Sequence, residues 1–180
     1  MLAAAWTGHE LVIVVGGTDP ATGRPFPARR ARGAVYDPGA NRWHRIARPP
    51  GPREGAAAAW DGREVVLAGG SGRAGRASTA AFAYDPARNR WRRLPPLPSA
   101  RSGAVAVRAG RRVLLVARGA PTLAYDPASR RWSRLPPAPL PERLVPTAVW
   151  TGRSLIVWGV VPTRSWGRYR TAGAVFTPAR

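Results

Sequence analysis

The chain has 180 residues, 44% of them hydrophobic, enough for one domain with a real core, and no apolar run approaches the roughly 18 residues that would suggest a membrane span. With no cysteine it has neither disulfides nor thiolate metal sites. The formal charge of +20 invites a nucleic-acid reading, but all 29 basic residues are arginine, spread along the whole chain beside abundant Ala, Gly and Pro; this is a compositional bias that predicts non-specific attraction to polyanions at low salt, not specific nucleic-acid recognition.

Met1 to Trp6 carries no basic region and runs directly into the first predicted strand. As written, the sequence therefore predicts a cytoplasmic protein without a membrane segment, or a secreted one if its start has been lost. The first unit reads as a small-residue strand ending at Trp6-Thr7-Gly8, an aliphatic strand from Leu11 to Val15 running into Gly16-Gly17, a third strand ending at Tyr36-Asp37-Pro38, and a fourth around Trp43. Pro49-Pro50 then leads to a second unit with the same order: Gly55 to Trp60, the turn Asp61-Gly62, Glu64 to Ala68, Gly69-Gly70, Tyr84-Asp85-Pro86 and Trp91. The third runs from Gly103 to Arg108 through Ala109-Gly110, Val113 to Ala117, Gly119 and Tyr125-Asp126-Pro127 to Trp132. The fourth has Pro146 to Trp150, Thr151-Gly152, Leu155 to Trp158, Gly159 and Phe176-Thr177-Pro178, with no Trp strand after it.

Each x-Gly turn supplies the positive φ that a tight hairpin needs, and Asp-Pro ends the third strand because proline cannot donate to the ladder. Arginines flanking the Trp suit an outer edge strand that must resist pairing with other chains. The aromatic residues of the third strands, 36, 84, 125 and 176, are spaced by 48, 41 and 51, and Tyr precedes Trp by seven residues in each complete unit. Constant internal spacing with variable loops predicts stacked four-stranded blades, with repeats at approximately 1–50, 51–98, 99–139 and 140–180.

These landmarks resemble the kelch repeat family: the double glycine after an aliphatic strand, Tyr-Asp-Pro, and the Trp seven residues beyond the Tyr. Trp6-Thr7-Gly8 and the run from Trp150 to Gly159 look most like bacterial kelch proteins likened to the galactose oxidase central domain. The resemblance implies an all-β, kelch-type β-propeller of about four blades, the last incomplete, with Tyr and Trp packed between blades. It makes Gly16, Gly17, Tyr36, Trp43, Gly69, Gly70, Tyr84, Trp91, Tyr125, Trp132 and Phe176 structural. Three complete blades and a partial one fall short of the six or seven usual in the family. That predicts a fragment of a longer gene, ranked first, or self-association of two copies into a ring, or an open arc with exposed terminal faces.

The remaining motifs argue against catalysis. Gly70-Ser71-Gly72-Arg73-Ala74-Gly75 matches a dinucleotide fingerprint but leads into a strand, where a helix start is required. His9 and His44 form no metal set with each other or with carboxylates; no cofactor is expected. Without cysteine, the oxidase chemistry of galactose oxidase is not carried over. Asp37, Asp85 and Asp126 recur once per repeat, and repetition marks a structural need. The suggestive residues are Arg53, Arg101 and Arg143, each in the loop from an outer strand to the next inner strand; the resemblance implies that arginines there line the rim of a central channel. Charges converging on one face would hold an anionic ligand, an acidic peptide or acidic glycan. The long loops between second and third strands open on the same face, and Trp166 and Tyr169 are candidate stacking residues. The expected function is a non-enzymatic binding and protein-interaction module. The alternative is a fragment or remnant of a carbohydrate-active propeller enzyme of the sugar-epimerising or oxidising kind, and the third is non-specific polyanion or nucleic-acid binding.

Overall fold

A computed structural model describes residues 2–16, 32–51, 54–72, 75–117, 119–136, 145–162 and 169–177. Every regular element is a β-strand, and four antiparallel sheets follow the chain in order. The first contains β1 (Leu2–Trp6), β2 (Leu11–Val15), β3 (Arg32–Asp37) and β4 (Arg42–Arg45); the second β5 (Glu54–Trp60), β6 (Val65–Ser71), β7 (Ala81–Asp85) and β8 (Arg90–Arg93). The third contains β9 (Val105–Ala109), β10 (Arg112–Val116), β11 (Leu123–Asp126) and β12 (Arg131–Arg134), and the fourth β13 (Val145–Trp150), β14 (Leu155–Pro162) and β15 (Tyr169–Phe176). Within each sheet the strands meander in sequence order.

The small residues of the first strands explain their position. β1, β5, β9 and β13 follow one another side by side and line an open central cavity of about 450 Å³ with residues such as Ala4, Ala58, Ala106 and Ala148, where bulkier side chains would keep the sheets apart. Side chains alternate across each strand, so the second and third sheets each offer one face to the preceding sheet and one to the next. Ala5, Val12, Val35 and Ile46 of the first sheet meet Val65 and Tyr84 of the second. Ala57, Val66 and Ala83 on its other face meet Val113, Leu115 and Tyr125 of the third. Leu114, Val116 and Ala124 of the third then meet Leu155 and Val157 of the fourth.

The aromatic pairs of the third and fourth strands repeat closely. Tyr36–Trp43, Tyr84–Trp91 and Tyr125–Trp132 have ring centroids 5.0, 5.1 and 4.9 Å apart, tilted by 35°, 39° and 38°. Trp91 Nε1 donates to Ala47 O at 3.0 Å and Trp132 Nε1 to Pro95 O at 3.0 Å, so each indole ties its blade to the connector leaving the preceding one. No described residues form a blade against the first pair, and Trp43 is 55% exposed, where the repeat pattern implied packing between blades.

The double glycine has a local cause in the second repeat. Gly69 has φ +71°, and a Cβ there would lie 2.7 Å from the carbonyl oxygen of Arg101; the connector entering the third blade crosses against it. Gly17 lies outside the described residues, Gly16 is buried, and Gly159 is an extended strand residue opposite Pro146 and Ala172. Because Gly159 does not end its strand, β14 runs on to Pro162 and Tyr169 opens β15, where a loop was expected.

Candidate functional site

The two ends of the sheets are built differently. At one end lie the connectors between blades together with the loops between second and third strands. Gly103 N donates to Gly55 O at 2.9 Å, Ser71 Oγ and Ser102 Oγ are 2.7 Å apart, and Ser78 bridges Arg101. The connectors into the second and third blades are thus neighbours, with Arg53 and Arg101 at matching positions two residues before Gly55 and Gly103.

Arg101 is only 7% exposed. Its Nη1 donates to Ala100 O at 3.1 Å and its Nη2 to Pro121 O at 3.3 Å, joining the connector to the third blade, while Nε is buried without a partner. Burial, with Arg134 adding repulsion, pushes its pKa down. This guanidinium is engaged inside the fold. Arg53, Arg143 and Trp166 lie outside the described residues. Tyr169 is 67% exposed on the free face of the fourth sheet.

At the opposite end lie the hairpin turns, and here a charged cavity of about 440 Å³ opens between the second and third blades. The turn carboxylates that recur per repeat act locally: Asp37 accepts from Ala40 N, Asp85 from Arg88 N and Asp126 from Ala128 N. Burial pushes the Asp85 carboxyl up, but hydrogen bonds from the Arg88 side chain and backbone outweigh it and hold the group below its ordinary value. Arg92 Nε donates to Glu64 Oε1 at 2.8 Å and Nη2 to Glu64 Oε2, a bidentate pair that keeps Arg92 firmly charged despite its partial burial.

One repeated bond is broken here. Tyr36 OH donates to Asn41 Oδ1 at 2.8 Å and Tyr84 OH to Asn89 Oδ1 at 2.9 Å, each Asn sitting at positive φ (46° and 47°), which Asn tolerates better than other non-glycine residues. In the third repeat this place belongs to Arg130, φ 55°, and Tyr125 OH is buried without a partner. An unpaired buried hydroxyl costs about 1–3 kcal/mol, and a left-handed Arg about 1–2 kcal/mol more. Sequence reading passed over this site because its arginines resemble their neighbours; the legible signal was the change from Asn41 and Asn89 to Arg130.

Four sheets fanned about a shared centre, the second and third each meeting the preceding one through a Tyr–Trp face, are the architecture of a partial β-propeller. Residues 52–98, which span the second sheet, match the family model described as the Kelch motif, and the first and third sheets repeat its order of four strands. No curated protein matches the chain. The Kelch motif marks a protein-interaction repeat module.

Proposed function

We propose that the chain is a non-enzymatic interaction module that holds an acidic segment of a partner protein at the connector end of its blades. The observation that carries this reading is the direct contact between successive connectors, Gly103 N to Gly55 O, which brings equivalent arginine positions of neighbouring blades together. Arg101 braces the connector, and the reading assigns recognition of the ligand's carboxylates to Arg53 and Arg143. Arginine suits the role because its planar fork matches carboxylates bidentately. The test is titration with an acidic peptide at moderate salt. The R53A/R143A variant is expected to lose at least ten-fold in affinity with its unfolding midpoint unchanged. Unchanged affinity would refute the reading, and tighter binding of an acidic glycan than of the peptide would move it to a carbohydrate ligand.

A second reading rests on where apolar side chains remain exposed. Among the described residues, every exposed large hydrophobic lies on the first or fourth sheet: Trp6, Val15 and Trp43 on one, Val149, Trp158, Val160, Tyr169 and Val175 on the other. Alternation puts them on the faces that meet no other blade, and contiguous apolar patches of this kind drive association. Two copies joined head to tail at both faces would close a ring by two-fold symmetry. Light scattering is expected to give twice the 19.3 kDa chain mass, reverting to monomer in W43E/W158E; a wild-type monomer at high concentration would exclude the ring.

A further inference from the structure

The third repeat departs from the first two at the one position where departure leaves a buried group unsatisfied. Asn41 and Asn89 each accept the phenol of their blade; Arg130 does not, and Tyr125, itself fully buried, keeps an unpaired hydroxyl. Burial pushes that phenol's pKa up; the neighbouring Arg92 guanidinium, whose Nη1 is also buried without a partner, and Arg130 pull it down, Asp61 raises it, and all three residues line the cavity between the second and third blades. A repeated residue is retained for folding. A replacement that weakens folding and places a cation at a cavity indicates a separate use for that cation.

The cavity's charge tells which ligand fits. Its lining has five arginines against three carboxylates. Two of the arginines are paired, Arg88 with Asp85 and Arg92 with Glu64; Arg63, Arg90 and Arg130 have no ion pair among the described residues. The excess of two positive charges matches the nearly dianionic phosphomonoester at neutral pH, and guanidinium forks suit its oxygens. Asp61 Oδ1 accepts from Arg63 N at 2.8 Å and Glu64 N at 2.7 Å, and its second oxygen is left to accept from a ligand hydroxyl. We propose that this cavity binds a phosphomonoester group, with Arg63, Arg90 and Arg130 as its ligating residues. The site lies at the opposite end of the blades from the connectors and does not depend on the function proposed for them.

The test is calorimetric titration of the whole chain with inorganic phosphate, a phosphoserine peptide and glucose 6-phosphate at moderate salt. Saturable binding of phosphate is expected in the wild type and in Arg153→Asn, whose side chain is exposed on the fourth blade. Arg130→Asn is expected to weaken binding at least ten-fold while raising the unfolding midpoint, because Asn restores the acceptor for Tyr125; Arg63→Ala and Arg90→Ala should weaken binding similarly. Preference for the phosphoserine peptide would assign the phosphate to a partner protein and preference for glucose 6-phosphate to a small metabolite, and either supports the site. The proposal is overturned if Arg130→Asn leaves affinity unchanged or lowers the midpoint, or if Arg153→Asn weakens binding equally, which would reveal only the general field of the arginines.

Discussion

The same substitution at two equivalent tyrosines should have opposite effects. Tyr84→Phe deletes a phenol that donates to Asn89 Oδ1 at 2.9 Å. Asn89 Oδ1 also accepts from Ala47 N at 2.6 Å, so it keeps a partner and the expected loss is one ordinary hydrogen bond, about 1 kcal/mol. Tyr125→Phe deletes a buried hydroxyl with no partner, which removes a desolvation penalty and should be neutral or stabilising by about 1 kcal/mol. An unfolding entropy of about 2.1 cal/mol/K per residue over 180 residues gives about 0.4 kcal/mol/K. The midpoint should therefore fall by about 2.5 °C in Tyr84→Phe and hold or rise by about as much in Tyr125→Phe. Scanning calorimetry at neutral pH resolves the difference. If Tyr125→Phe loses as much as Tyr84→Phe, the third-repeat hydroxyl has a partner after all, and the reasoning built on Arg130 fails with it.

Gly69→Ala should cost about 2–4 kcal/mol, since it adds both left-handed strain and a contact with Arg101 O; Gly110→Ala, at φ +60° with open space around it, should cost only the strain, about 1–2 kcal/mol, and equal losses in urea titrations would show that the connector yields. Tyr84 predicts an alkaline limit. Burial, then Glu10 and Asp85, push its pKa up to about 12, above the unfolded value near 10, so between these values the folded state holds more protons and stability falls as pH rises, by at most about 1.4 kcal/mol per unit. Denaturant midpoints taken from pH 9 to 12 should show this slope in the wild type and a shallower one in Tyr84→Phe; parallel slopes would remove Tyr84 as the cause.

What could be read from the sequence was what repeats. The Tyr–Trp pairs and the Asp-Pro strand ends recur at fixed spacing and the turn glycines in fixed order, because every blade solves the same packing problem, and the structure places them as one set. What the sequence hid depends on neighbours that spacing does not encode. Arg101 sits in a loop like a ligand-binding residue, yet it turns inward because Pro121 O, twenty residues on, is within reach. Trp43 carries the same motif as Trp91 but is exposed, since burial of that indole is supplied by the preceding blade. Tyr169 was read as loop because Gly159 looked like a strand end; with extended backbone there, the hairpin continues and sets Tyr169 on an open sheet face.

The most direct measurement for the interaction-module account is the affinity of the purified chain for an Asp- and Glu-rich peptide, compared with a neutral peptide of equal length, across a salt series. The account predicts saturable, stoichiometric binding of the acidic peptide that persists at physiological ionic strength and is lost in R53A/R143A. Binding that vanishes steeply with salt, or that survives this double substitution, would contradict it and leave the arginines as a non-specific field.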